Sequence, residues 1–166
     1  MINKDKYINI AVISVPLLFI VGFIAWSLAK PLPGETVTSQ GNDHLQSISE
    51  EHIAYSTKPP TSGPHLGSKA SWGVHDEQIS DELQLHNLED GGVIIHYDPV
   101  TVSDDEVSQI TSIVAGDLDR VIVAPYADME TAITLTAWGK IMRLENVNSE
   151  EIVRFVNAYK GIDHHR

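Results

Sequence analysis

The stretch His86–Tyr97, HNLEDGGVIIHY, decides how the rest of the chain is read. A polar segment with an imidazole and two carboxylates runs into two glycines, and these run into an apolar, β-branched block. Glycine takes the left-handed conformation after a helix at little steric cost, so Gly91-Gly92 reads as a helix stop. Val93–Tyr97 then reads as a strand, because Val and Ile are stiff at χ1 and pack well on a pleated surface.

Downstream, Ser103 and Glu106 form a capping box, and Asp104 and Asp105 suit the positive end of a helix dipole. Val107, Ile110, Ile113 and Val114 give that helix a core stripe, and Gly116 ends it. Arg120–Ala124 reads as a second strand closed by Pro125. Thr131–Trp138 alternates apolar and hydroxyl residues as a third strand, and Gly139 turns the chain into a fourth, antiparallel strand, Lys140–Leu144. Asn148 with Glu151 caps a last helix whose buried face is Ile152, Phe155, Val156 and Tyr159. The order is β-α-β-β-β-α. It predicts an α+β domain over residues 51–161, a small mixed sheet with two helices packed on one face.

Upstream, Asp81–Leu88 fits one or two helical turns. Residues 56–75 carry three Pro and three Gly with little periodicity, and a loop of that length inside a compact domain is usually functional. Residues 31–50 are rich in Pro, Gly, Ser and Thr and read as a flexible linker. Residues 162–166 read as a frayed tail. Ile10–Ala29 holds 20 residues without a charge, enough for a helix of roughly 30 Å, which matches the hydrocarbon core of a bilayer. Lys4 and Lys6 precede it and only Lys30 follows closely. The positive-inside bias predicts a single-pass anchor over residues 1–30, with its N-terminus cytoplasmic and the C-terminal domain extracytoplasmic. A cleaved signal peptide is the competing reading; its apolar region is normally shorter.

The net charge is −12, and the first 30 residues carry +2, which leaves about −14 on the rest. Such a domain is not a nucleic-acid binder. There is no cysteine, so disulfides, thiolate metal sites and a cysteine nucleophile are excluded.

Eight histidines occur, at 44, 52, 65, 75, 86, 96, 164 and 165. His86 and Glu89 stand three residues apart, so on a helical turn both side chains face one way, and Asp90 adds a carboxylate at i+4. Imidazole and carboxylate together suit copper or zinc. Ser62-Gly63-Pro64-His65 is a rigid turn that presents His65 as a third ligand. His96 shares a strand face with Ile94 and Met129 lies in a loop. Both are further candidates, although a core histidine and an apolar gap-filler are their ordinary roles; His75 stands like His96. A thioether beside imidazoles would favour copper(I). The metal set fails if His65 lies more than about 10 Å from His86.

With these residues in place a resemblance emerges. PPTSGPH (Pro59–His65), WGV (Trp72–Val74), HNLEDGGVIIHY and TAWGK (Thr136–Lys140) resemble a bacterial and archaeal domain-of-unknown-function family with the pattern SGPH, HNLEHGG and AWG. The resemblance covers about residues 52–160. It implies one N-terminal membrane anchor, a short exported domain, and importance for His65, His86 and Glu89. Asp90 stands where the family pattern has a second histidine. HxxEH is similar to the inverted zinc-peptidase motif, and losing the second histidine weakens a peptidase reading. The expectation is a membrane-anchored, extracytoplasmic copper- or zinc-binding domain, accessory to a membrane-protein partner. A non-metal interaction module and a metal-dependent hydrolase with Glu89 as base are the alternatives.

Overall fold

The computed structural model describes residues 31–165. The anchor expected at Ile10–Ala29 lies outside them, and among the described residues no helix is long and apolar enough to cross a membrane. Pro33 onward forms one compact unit.

The strands are β1 (Glu35–Thr36), β2 (His44–Leu45), β3 (His65–Leu66), β4 (Gly73–Val74), β5 (Val93–Tyr97), β6 (Val121–Pro125), β7 (Ile133–Ala137) and β8 (Lys140–Leu144). The helices are α1 (Asp81–Glu89), α2 (Asp104–Val114) and α3 (Ser149–Tyr159). Six strands make one mixed sheet in the order β1-β8-β7-β5-β6-β4. β5 is parallel to β6 and antiparallel to β7, so the strand after the double glycine is central and buried on both faces. Its unbroken run of apolar residues follows from that burial.

Alternation along the strands divides the core. Val93 and Ile95 of β5 and Val121 and Val123 of β6 face α2 and α3, where they meet Ile110, Val114, Ile152, Phe155 and Val156. This is the predicted two-helix face. Ile94, Ile122 and Ala124 face the other way, onto Leu85 and Leu88 of α1. The full capping box of Ser103 and Glu106 is present on α2, and Asn148 accepts from the Glu151 amide on α3.

Three assignments change. Residues 33–50 are part of the domain rather than a tether: Glu35 pairs with Ile141, and His44 pairs with His65 in a short parallel ladder. The long loop contributes β3 and β4, with β4 on the sheet edge beside β6. The tail after Gly161 is also docked. The amide of Gly161 donates to the Gly91 carbonyl at 2.7 Å, and that of His164 to the Glu89 carbonyl at 2.9 Å. In all three cases backbone hydrogen bonds order segments whose composition resembles free coil.

His96 is wholly buried on the α1 side, where its Nε2 meets Thr136 Oγ1 at 3.0 Å. Burial holds its imidazole down at about 3, against an ordinary value of 6.5. Between those two values the unfolded chain binds a proton that the folded chain does not, so acidification destabilises the fold. The loss contributed by this group is about 1.4 kcal/mol per pH unit below 6.5. Urea unfolding between pH 5 and 6.5, above the carboxylate range, should show a shallower slope for His96→Gln than for wild type; equal slopes would refute it.

Candidate metal centre

α1 ends in the Gly-Gly stop inferred from sequence. Gly91, at φ +78°, donates to Leu88 O at 3.0 Å and Gly92 to Asn87 O at 2.8 Å, the double hydrogen bond of a Schellman cap. This fixes the last turn, from which His86 and Glu89 project to one side at i,i+3. Asn87 faces the other way and clamps the long loop: its Oδ1 accepts from the Ala70 amide at 2.9 Å, and its Nδ2 donates to the Ala70 carbonyl at 3.0 Å. Gly92 is required by crowding. A Cβ there would stand 2.5 Å from Asn87 O and 2.7 Å from the Trp72 ring.

The SGPH turn is equally determined. Gly63 sits at φ +130°, with the Tyr55 ring 3.0 Å from where a Cβ would be, and Tyr55 donates its hydroxyl to Pro64 O at 2.7 Å. His65 follows, fully buried, with its ring edge-on to Trp138 at 5.7 Å between centroids. Its Nδ1 donates to the Gly63 carbonyl at 2.8 Å, which aims Nε2 at Glu89 Oε2, 3.0 Å away. A backbone acceptor on the far nitrogen is the usual device for orienting a metal-binding imidazole.

Glu89 is the centre of the group. Its side chain is 1% exposed, and its Oε2 stands 3.0 Å from His65 Nε2, 3.3 Å from His165 Nε2, 3.5 Å from His44 Nε2 and 3.9 Å from His86 Nδ1. Oε1 accepts from Asn42 Nδ2 at 2.6 Å. Burial pushes the Glu89 carboxyl up, but the Asn42 hydrogen bond and the imidazoles of His65 and His165 outweigh it, holding the group below its ordinary range. His86 is held below the ordinary histidine value, chiefly by burial and against the pull of Asp90. Both shifts favour the ligand forms, carboxylate and neutral imidazole, at neutral pH.

Donors at 2.0–2.1 Å from a tetrahedral ion lie roughly 3.3–3.4 Å apart. One donor atom each from His44, His65, His86 and Glu89 falls within 4.8 Å of all the others, and so does one each from His86, Asp90 and His165. His65 and His86 are 5.4 Å apart between ring centroids, well inside the limit that would have separated them. The arrangement can hold a cation. It is open on one side, where His44 and His165 are 47% and 42% exposed, and closed on the other by His65 and Glu89.

Of the residues singled out from sequence, His65, His86, Glu89 and Asp90 come together. His96 does not: it is tied to Thr136 in the core. Met129 does not either; it lines a separate acidic groove with Asp98, Glu106 and Glu145. His75 is bonded to the Ser71 carbonyl at 2.8 Å. His44 and His165 join the group from segments expected to be linker and tail. His44 has one slight sequence signal, since the dipeptide His-Leu occurs at both 44–45 and 65–66 and these two dipeptides pair as β2 and β3; His165 has no such signal.

The site's scaffold residues are those of the SGPH, WGV, HNLE and AWG segments, and a family model built on the "protein of unknown function (DUF3105)" matches residues 46–165. The chain belongs to DUF3105. The DUF3105 match takes in His65, His86, Glu89, Asp90 and His165, while Asn42 and His44 precede it. No curated protein and no solved structure matches the chain. Gly92→Ala should cost about 1–3 kcal/mol of unfolding free energy, the usual penalty for an overpacked site, when measured by chemical denaturation. A neutral result would show that Trp72 can move aside.

Proposed function

We propose that this protein is a zinc- or copper(II)-binding domain, with His44, His65, His86 and Glu89 as ligands. The observation that carries the reading is the pair His65 Nε2 and Glu89 Oε2, buried and 3.0 Å apart. With Nδ1 of His65 donating to the Gly63 carbonyl, Nε2 is the nitrogen left to meet the carboxylate. A nitrogen and a carboxylate oxygen at that distance are joined either by a proton or, with a small outward shift, by a metal ion that both ligate. Three further imidazoles converge on the same oxygen, and that donor set suits a transition-metal ion.

The choice of metal follows from the donors. The group is all nitrogen and oxygen, and with Met129 elsewhere the thioether argument for copper(I) lapses. Tetrahedral N/O ligation suits zinc(II), and imidazole-rich N/O ligation also suits copper(II). Glu89 points at the imidazoles as a donor, which leaves it poorly placed to serve as the base of a hydrolase. The uncharged run Ile10–Ala29 supports a membrane-anchored, extracytoplasmic domain, where an ion held at a one-sided, exposed rim can be passed to a membrane-protein partner.

Metal added to the purified full chain should raise its unfolding free energy, by about 2.7 kcal/mol at 100 times Kd. His86→Ala and Glu89→Gln should weaken zinc binding at least tenfold in calorimetry. The reading fails if both variants bind zinc and copper(II) as wild type does.

A further inference from the structure

His86 offers both ring nitrogens to different partners. Nδ1 is buried, lacks a hydrogen-bond partner and faces Glu89 Oε2, while Nε2 stands 3.9 Å from Asp90 Oδ1. Asp90 Oδ1 is in turn 3.6 Å from His165 Nε2, and its other oxygen is engaged by Lys69 Nζ. His165 is oriented like a ligand: its Nδ1 donates to Asp163 Oδ1 at 2.9 Å, which turns Nε2 inward. The docked tail holds it there through the Gly161 and His164 amides and the stacking of His164 on Trp138. Gly91 makes this docking possible, since a Cβ there would stand 2.8 Å from the backbone of Ile162.

We infer that the centre takes two ions, with His86 as the bridge: the first on His44, His65, Glu89 and His86 Nδ1, the second on His86 Nε2, Asp90 and His165. Rested on the proposed metal function, this assigns a second site to the C-terminal tail and gives Asp90 a ligand role. A metal–nitrogen bond of about 2.0 Å on each side of one ring sets the ions roughly 6 Å apart. When the second metal–nitrogen bond forms, the remaining ring N–H proton leaves to solvent, so the bridge is an imidazolate. The second site has three protein donors on its more exposed side and completes its shell with water.

The test is a count of zinc per chain on the full protein, stripped with a chelator, reloaded with Zn(II) and desalted. Wild type should retain two ions, and His165→Ala, an exposed change that spares the core, should retain one. Copper(II) loading should give an exchange-coupled electron paramagnetic resonance spectrum in wild type and an isolated-ion spectrum in His165→Ala. One zinc in wild type overturns the second site and leaves the first standing; zero overturns both. Two zinc ions in His165→Ala overturn the role of the tail, and two copper(II) ions without coupling overturn the bridge.

Discussion

A carboxylate removed from water must be surrounded by groups that replace water, and Glu89 is such a carboxylate. Its position makes the demand sharper. It closes the last turn of α1, where the helix dipole is negative and an anion is disfavoured. Two devices meet the demand: the Asn42 amide on one oxygen and a ring of imidazoles on the other. Negative dipole, carboxylate and imidazole lone pairs all act in one direction, toward a cation. The parts of the molecule drawn to this point come from the N-terminal segment, the long loop, α1 and the C-terminal tail. The central sheet supplies the platform on which α1 rests.

Much of that platform could be read from residue patterns. The alternation in Ile133–Ala137, the stripe in Ile152–Tyr159 and the caps at Ser103 and Asn148 are local signals, and local physics decides them. The pair His86 and Glu89 was legible for the same reason, since helical spacing is enough to put them on one side. Asp90 was legible as a departure from a pattern. His44 and His165 were not. Each stands in a polar segment with no periodicity, and each is placed by backbone hydrogen bonds to distant residues: His44 by its ladder with His65, and His165 by amides that find the carbonyls of Glu89 and Gly91. Nothing in a short polar stretch encodes such a partner. His96, a candidate ligand beside the site in sequence, takes the ordinary role of a core histidine, because its strand direction carries it toward Thr136.

The motif residues that are not ligands have mechanical roles. Asn87 fastens the loop to α1, Gly92 makes room for Trp72, Gly63 makes room for Tyr55, and Trp138 forms a wall against both His65 and His164. Each removes a degree of freedom from a donor or from its support. A centre whose ligands arrive on four separate segments would otherwise lose much of its affinity to the entropy of ordering them.

The ladder between β2 and β3 and the docking of the tail have a joint consequence for the topology of the chain. His44 lies near the beginning of the domain and His165 near its end, and both reach the same glutamate oxygen. The two ions proposed there, joined through the His86 ring, would tie the two extremities into a ring, a non-covalent cyclisation in a protein that has no disulfide to perform it. Closing a ring of that size removes much more freedom from the unfolded chain than from the folded one. Loss of the ions would then act first on the ends, the first site freeing the N-terminal segment and the second the tail, while the sheet stays intact. The metal would be a clasp, and the exposed ends of the domain its hinge.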